Sequence, residues 1–197
     1  AGVEGVRDDS LAGESTKEEP QEAKPISVTK DPEPKKEIAP KESQSFRLKA
    51  LVGSSSSDSI SVASNLITFS WEGFGLGSSN LSYKNESSAD KYDMTASFYD
   101  LSYTFGEDLS YGFALGLLGN GTGKITSPSG NYETSEASGS YYSATLGSEF
   151  AGFEGLIGYQ TINLKYKGFK RNADGSTLNT NASISGGLLL FGLGVHF

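Results

Sequence analysis

The feature that most constrains this chain is a two-residue apolar beat running into its final residue. In the closing stretch ISGGLLLFGLGVHF, residues 184–197, Leu189, Phe191, Leu193, Val195 and Phe197 share one side of an extended chain. Leu188, Leu190, Gly192, Gly194 and His196 take the other. A period of two belongs to a strand, not a helix. Chain ends ordinarily fray. A strand that stays apolar to its last residue exposes both unpaired backbone and greasy side chains unless it has a neighbour, so this segment requires pairing up to its end.

The same beat recurs upstream. FRLKALV sets Phe46, Leu48, Ala50 and Val52 against Arg47 and Lys49, and YDLSYTF sets Tyr99, Leu101, Tyr103 and Phe105 against Asp100, Ser102 and Thr104. LSYGFALGLL, YYSATLGSEF and FEGLIGYQ alternate likewise, with Gly, Ser and Thr crowding the face opposite the apolar one. The spacing predicts eight strands near 46–53, 62–71, 74–84, 92–105, 109–120, 139–150, 153–167 and 181–197. Tight connections fall at SWEGFG (70–75), FGEDLS (105–110) and FAGFEG (150–155). Long polar ones fall at 53–61, 84–91, 121–139 and 167–181. Strands of about 9–11 residues suffice to cross a bilayer, and most of these qualify.

The beat begins only at Phe46. Residues 1–45 hold five of the six prolines and no aromatic residue, with 11 acidic and 7 basic side chains. Such a segment buries too little to offset its ordering entropy, and it is predicted to be a disordered tail. All 22 aromatic residues lie in 46–197, the second domain. The net charge of −8 argues against nucleic-acid binding. The chain has no cysteine, and no run approaches the length of a transmembrane helix.

Tight turns on one side, long loops on the other and a terminal aromatic strand resemble the small eight-stranded bacterial outer-membrane barrels, the OmpA/OmpX/Opa-like class. The resemblance covers 46–197 and implies an all-β, eight-stranded antiparallel up-and-down transmembrane barrel. Its apolar residues would face lipid, and its small and polar ones a narrow lumen. It implies that both chain ends are periplasmic and the long loops extracellular. Leu189, Phe191, Leu193, Val195 and Phe197 would then be the signal read by the barrel-assembly machinery. The expected surroundings are outer-membrane lipid and lipopolysaccharide, with a periplasmic partner or the cell wall within reach of the tail. Phe69, Trp71, Phe74, Tyr103, Phe105, Phe150 and Phe153 stand beside the tight turns and are expected to form the periplasmic aromatic girdle. A soluble barrel is the alternative, but its solvated face would carry more charge than the Gly/Ser/Thr face here.

Arg47 and Lys49 open the first strand; Glu149 ends the sixth and Glu154 begins the seventh. Alternation points all four into the lumen at the tight-turn end, where they are expected to form a mutually neutralising cluster. Catalytic and metal signals are weak. The only histidine, His196, is at the periplasmic mouth with no nucleophile spaced for it. LLGNGTGKIT departs from a phosphate loop, with Leu118 in place of the first Gly and Ile125 in place of the Ser or Thr; it reads as a Gly-rich loop base. The loop acids lack calcium-loop spacing. No catalytic residue, metal or cofactor is expected. Two roles follow: a non-enzymatic anchor presenting loops for adhesion-like or structural contacts, or a small channel for ions or small apolar solutes.

Overall fold

The computed structural model describes residues 45–86, 89–106 and 108–197, so residues 1–44 of the expected tail lie outside it. Eleven strands occur among the described residues: β1 (Phe46–Ser57), β2 (Ile60–Trp71), β3 (Phe74–Asn85), β4 (Lys91–Phe105), β5 (Leu109–Ser127), β6 (Gly130–Thr134), β7 (Glu136–Phe150), β8 (Phe153–Lys167), β9 (Phe169–Arg171), β10 (Thr177–Leu178) and β11 (Ala182–His196). Eight of them, β1 to β5 with β7, β8 and β11, pair antiparallel in a ring, and β11 closes it against β1. β6 and β9 extend the ring's far end as a small side sheet from β5, with β10 beyond β9. The fold is a closed eight-stranded antiparallel barrel.

The tight turns are built as their sequences require. Glu72 and Gly73 both have positive φ (49° and 89°), as do Ala151 and Gly152 (53° and 81°). This is the mirror-image two-residue turn whose twist matches a hairpin. The long connections are shorter than predicted. β1 runs to Ser57 and β2 starts at Ile60, so the serine run expected as a loop is paired strand, Ser54 opposite Ala63 and Ser56 opposite Ser61. Serine has little strand preference of its own, but a hairpin already in register supplies partners for its backbone. The Gly-rich stretch read as a loop base is likewise strand, the upper part of β5.

Register fixes the barrel's proportions. Following partners from Arg47 through Ser70, Gly75, Ser102, Ala114, Ser143 and Gln160 leads to Leu188. Leu188 lies three residues before Phe191, whose β1 partner is Val52. One circuit therefore returns to the level of Ser55, eight residues above Arg47. Eight strands with a shear of eight tilt by about 36° and leave an interior just wide enough for side chains.

Allowing for that tilt, the outward apolar residues form a level belt. Its lower rim holds Phe150, Phe153 and Phe197 and its upper rim Val52, Tyr99, Tyr142, Tyr159 and Leu189, all exposed. At about 3.3 Å per residue the belt is roughly 20 Å tall, near the ~25 Å of a membrane barrel's apolar band. Above it the alternation changes partners. On β8, Phe153, Ile157 and Tyr159 face out below, but Ile162, Leu164 and Tyr166 face in above, beside outward Thr161, Asn163 and Lys165. On β4 the change falls between Tyr99 and Phe98, and on β5 it coincides with a bulge opposite Ser97 and Phe98. The wall turns its apolar face outward over the belt and inward beyond it. That is what a surface passing from hydrocarbon into water requires.

Beyond the belt the strands continue for up to roughly 20 Å. The interior there is not the small, polar lumen the sequence suggested. Leu81, Met94, Ala96, Phe98, Ile125, Leu164, Tyr166 and Phe169 fill it. β1 and β11 pair only from Arg47 to Val52, and β5 and β7 only from Leu109 to Leu117. Continuous closure is thus confined to the belt, where open backbone edges are forbidden.

Candidate functional site: the seam, the lumen and the belt

Closure rests on the first and last residues of the barrel. Phe46 N–H donates to the Phe197 carbonyl at 2.9 Å and Phe197 N–H returns the bond at 3.0 Å. The Phe46 ring stacks on Phe197, Phe69 and Trp71, with centroids 6.3, 5.9 and 6.5 Å apart. Phe46 therefore belongs with the aromatic residues around the tight-turn end, a place the sequence reading did not give it. Of the expected girdle, Phe74 and Tyr103 meet at 4.8 Å, Tyr103 and Phe105 at 6.2 Å, and Phe150 and Phe153 stand at paired positions across their turn. Of the terminal set, Leu189, Phe191, Leu193, Val195 and Phe197 all face outward in the belt. The tyrosines of the upper rim were not anticipated. The inward–outward switch just beyond each of them was the signal that would have found them.

Inside the tight-turn end, Arg47, Lys49 and Glu154 come together. Lys49 Nζ is 3.4 Å and Arg47 Nη1 3.8 Å from the Glu154 carboxylate, and all three residues are buried. Ser110 donates a hydrogen bond to the same carboxylate. Arg47 also donates to the Gly106 carbonyl at 2.7 Å, and Lys49 to the Thr104 hydroxyl at 3.4 Å. Two glycines make the space: a side chain at Gly147 would strike Glu154 and Ser110, and one at Gly194 would strike Glu154.

Glu149 does not join this group. It stands directly across the ladder from Glu154, and two carboxylates placed so repel. Glu154 takes the cations of β1, while Glu149 turns to the mouth and meets His196 Nδ1 at 2.8 Å, both half-buried. The lone histidine, set aside in the sequence, is thus held by the fourth member of the expected cluster.

Above the cations lies Asp100, buried, accepting from Ser79 Oγ at 3.0 Å. Ser79 in turn meets the Tyr141 hydroxyl at 3.2 Å, and the Tyr141 ring lies edge-on to Phe98. No cation pairs with Asp100 among the described residues. Leu51 and Leu66 complete this layer, and between it and Lys49 remains a cavity of about 20 Å3, room for a single water. Among the described residues no three of His, Asp and Glu are grouped to hold a metal. At the far end, Arg171 bonds Asp174 at 3.4 Å in the β9–β10 turn, where hydrogen bonds from the Ser176 hydroxyl and amide hold the Asp174 carboxyl below its usual range.

This geometry defines a small, packed, eight-stranded barrel of the membrane-embedded kind. No protein-family model and no curated protein matches the sequence. Among solved structures the chain is similar to Neisserial surface protein A, with 12% identity, a TM-score of 0.50, 78% of this chain covered and 97% of that one. It also matches Ail, the attachment invasion locus protein of Yersinia pestis (14%, TM-score 0.42, 78% and 97% covered). A third match is a major outer membrane protein of Thermus thermophilus (10%, TM-score 0.39, 79% and 100% covered). At 12% identity the likeness to Neisserial surface protein A is one of fold alone.

Proposed function

We propose that the chain is a non-enzymatic outer-membrane anchor. Its belt would sit in the bilayer, its tight turns and both barrel termini would face the periplasm, and the wall beyond the belt would stand outside the cell as a surface for contacts. The observation that carries this reading is the division of the molecule at the upper rim. Below it the interior is sealed and the outside greasy; above it about half of each strand's length, with β6, β9 and β10, projects as a folded, hydrophilic structure. The packed lumen favours an anchor over a channel. An enzymatic reading gains nothing from His196, whose ring is engaged by Glu149 at the closed end. Assembly through the terminal strand, and a periplasmic partner for the tail, remain parts of this proposal.

The test is topological. A cysteine placed at Asp174, in the β9–β10 turn, is labelled on intact cells by a membrane-impermeant maleimide, and one placed at Ala151 only after the outer membrane is breached. The reverse pattern overturns the orientation, and a chain found outside the membrane fraction overturns the anchor.

A further inference from the structure

The upper rim of the belt is uneven. Around β4, β7 and β8 it is marked by Tyr99, Tyr142 and Tyr159, all exposed. Around β11, β1, β2 and β3 no aromatic residue stands at that level, and the small outward side chains leave a shallow groove of about 820 Å3 along the outer wall. Its lower edge is Val52, Leu189 and Phe191, members of the belt, and its floor includes Ala63. Across its middle, in the same ladder row as Val52, run Asn65, Asn80 and Ser97: Ser97 Oγ donates to Asn80 Oδ1 at 2.7 Å, and Asn80 Nδ2 to Asn65 Oδ1 at 3.4 Å. Ser54, Ser82 and Thr95 line the groove above them. The Asn65 amide nitrogen donates to no described residue. No charged residue lines the groove; the outward charges above it on β3 and β4, Lys84 and Asp93, lie 3.8 Å apart and offset each other.

We infer that this groove binds one outer-leaflet lipid of a particular class, an acylated amino sugar. The inference rests on the membrane reading above, and the occupant follows from continuity: the groove's lower edge is the belt itself, so what fills it is a bilayer lipid. Its height selects the part of the lipid presented, the junction between acyl chains and headgroup. Its lining selects the chemistry. Two carboxamides and the hydroxyls of Ser54, Ser82, Thr95 and Ser97, with no charge, match hydroxyls and amide linkages, which both donate and accept. Phosphate or ammonium groups would find no counter-charge here. The acyl chains run down over Val52 and Phe191, as a chain beside an aromatic rim does.

The barrel is folded into phosphatidylcholine nanodiscs carrying, as probe, an uncharged diacyl lipid of N-acylated glucosamine, or a diacylglycerol of the same chain length. The amino-sugar lipid is expected to shift the side-chain amide NMR signals of Asn65 and Asn80 and to be retained in native mass spectrometry, and the diacylglycerol to do neither. Asn80→Leu should lower retention roughly tenfold, the loss of one or two hydrogen bonds, and Ala63→Trp, which fills the groove, should lower it at least as much. Ala144→Trp, outward on the opposite wall, should leave it unchanged. Equal retention of both lipids, or retention indifferent to the two groove substitutions in folded barrel, overturns the site. A barrel that does not enter the nanodisc at all strikes instead at the membrane reading, so the two failures are distinguishable.

Discussion

A single carboxylate, Glu154, neutralises two buried cations, so the cluster is most sensitive there. Glu154→Gln keeps the shape and leaves Arg47 and Lys49 without an anion in a confined lumen. Removing one partner of a buried pair costs about 3 kcal/mol or more. We expect a loss of that order in urea unfolding of the reconstituted barrel, with Lys49→Met restoring part of it in the Glu154→Gln background, because coupled sites do not add. Glu149→Gln touches only the half-exposed contact with His196 and should cost under about 1 kcal/mol. Equal losses at the two positions would mean that Glu149 also serves the cations. A second expectation concerns backbone strain. Ala151 holds φ at 53°, a conformation that costs a side chain about 1 kcal/mol and glycine almost nothing. Ala151→Gly should therefore stabilise the β7–β8 turn by up to about 1 kcal/mol, measured in the same unfolding experiment, less the entropy glycine adds to the unfolded chain.

Among the elements, β11 does the most with the least. Its pairing with β1 spans only Arg47 to Val52, fastened at the end by the reciprocal Phe46–Phe197 bonds. Deleting Phe197 removes both bonds and the Phe46 stack at the one seam that closes the ring. Phe113→Ser removes one belt side chain from a strand paired on both sides. The deletion should lower the yield of heat-modifiable, folded barrel several-fold more than Phe113→Ser does, and equal yields would contradict it. The pairing of this strand was legible in the bare sequence, because the apolar alternation from Leu189 to Phe197 needs a neighbouring strand to cover it. The eight wall strands were legible for the same reason. The upper halves were not, because Ser54–Ser57 and Gly119–Gly123 have weak strand preference and gain their structure from partners. The apolar distal core was present in the letters too, in Ile162, Leu164 and Tyr166 following Phe153, Ile157 and Tyr159 at the opposite parity. Seeing it required allowing one strand to change solvent along its length. The pairing of Glu149 with His196 was beyond pattern alone: alternation places both carboxylates inward, and only the register shows them facing each other.

At the scale of the whole molecule the lumen bears on the choice between anchor and channel. Going up from the mouth, a permeating ion meets Arg47 and Lys49 tied to Glu154, then Leu51 and Leu66, then Asp100 with Ser79 and Tyr141, then Phe98 and the apolar distal core. The free space between the first layers is about 20 Å3, room for one water and not for an ion with its hydration shell, and the side chains packed above are largely apolar. Moving an ion into such packing without replacing its water costs far more than an ordinary pore allows. The barrel is therefore expected to show no unitary conductance in a planar bilayer. On this view the charge cluster is not needed as a gate, because the apolar layers close the path independently of it. Glu154→Gln should lose stability and stay silent. The informative variant is one that thins the upper seal: Tyr141→Ala together with Phe98→Ala removes the edge-on ring pair that spans the lumen at the top of the belt. If the plug is what closes the barrel, that variant should leak small ions where Glu154→Gln does not. Steps of conductance in the unaltered barrel would defeat the anchor reading, and steps in Glu154→Gln alone would move the seal down to the mouth and make the cluster a gate.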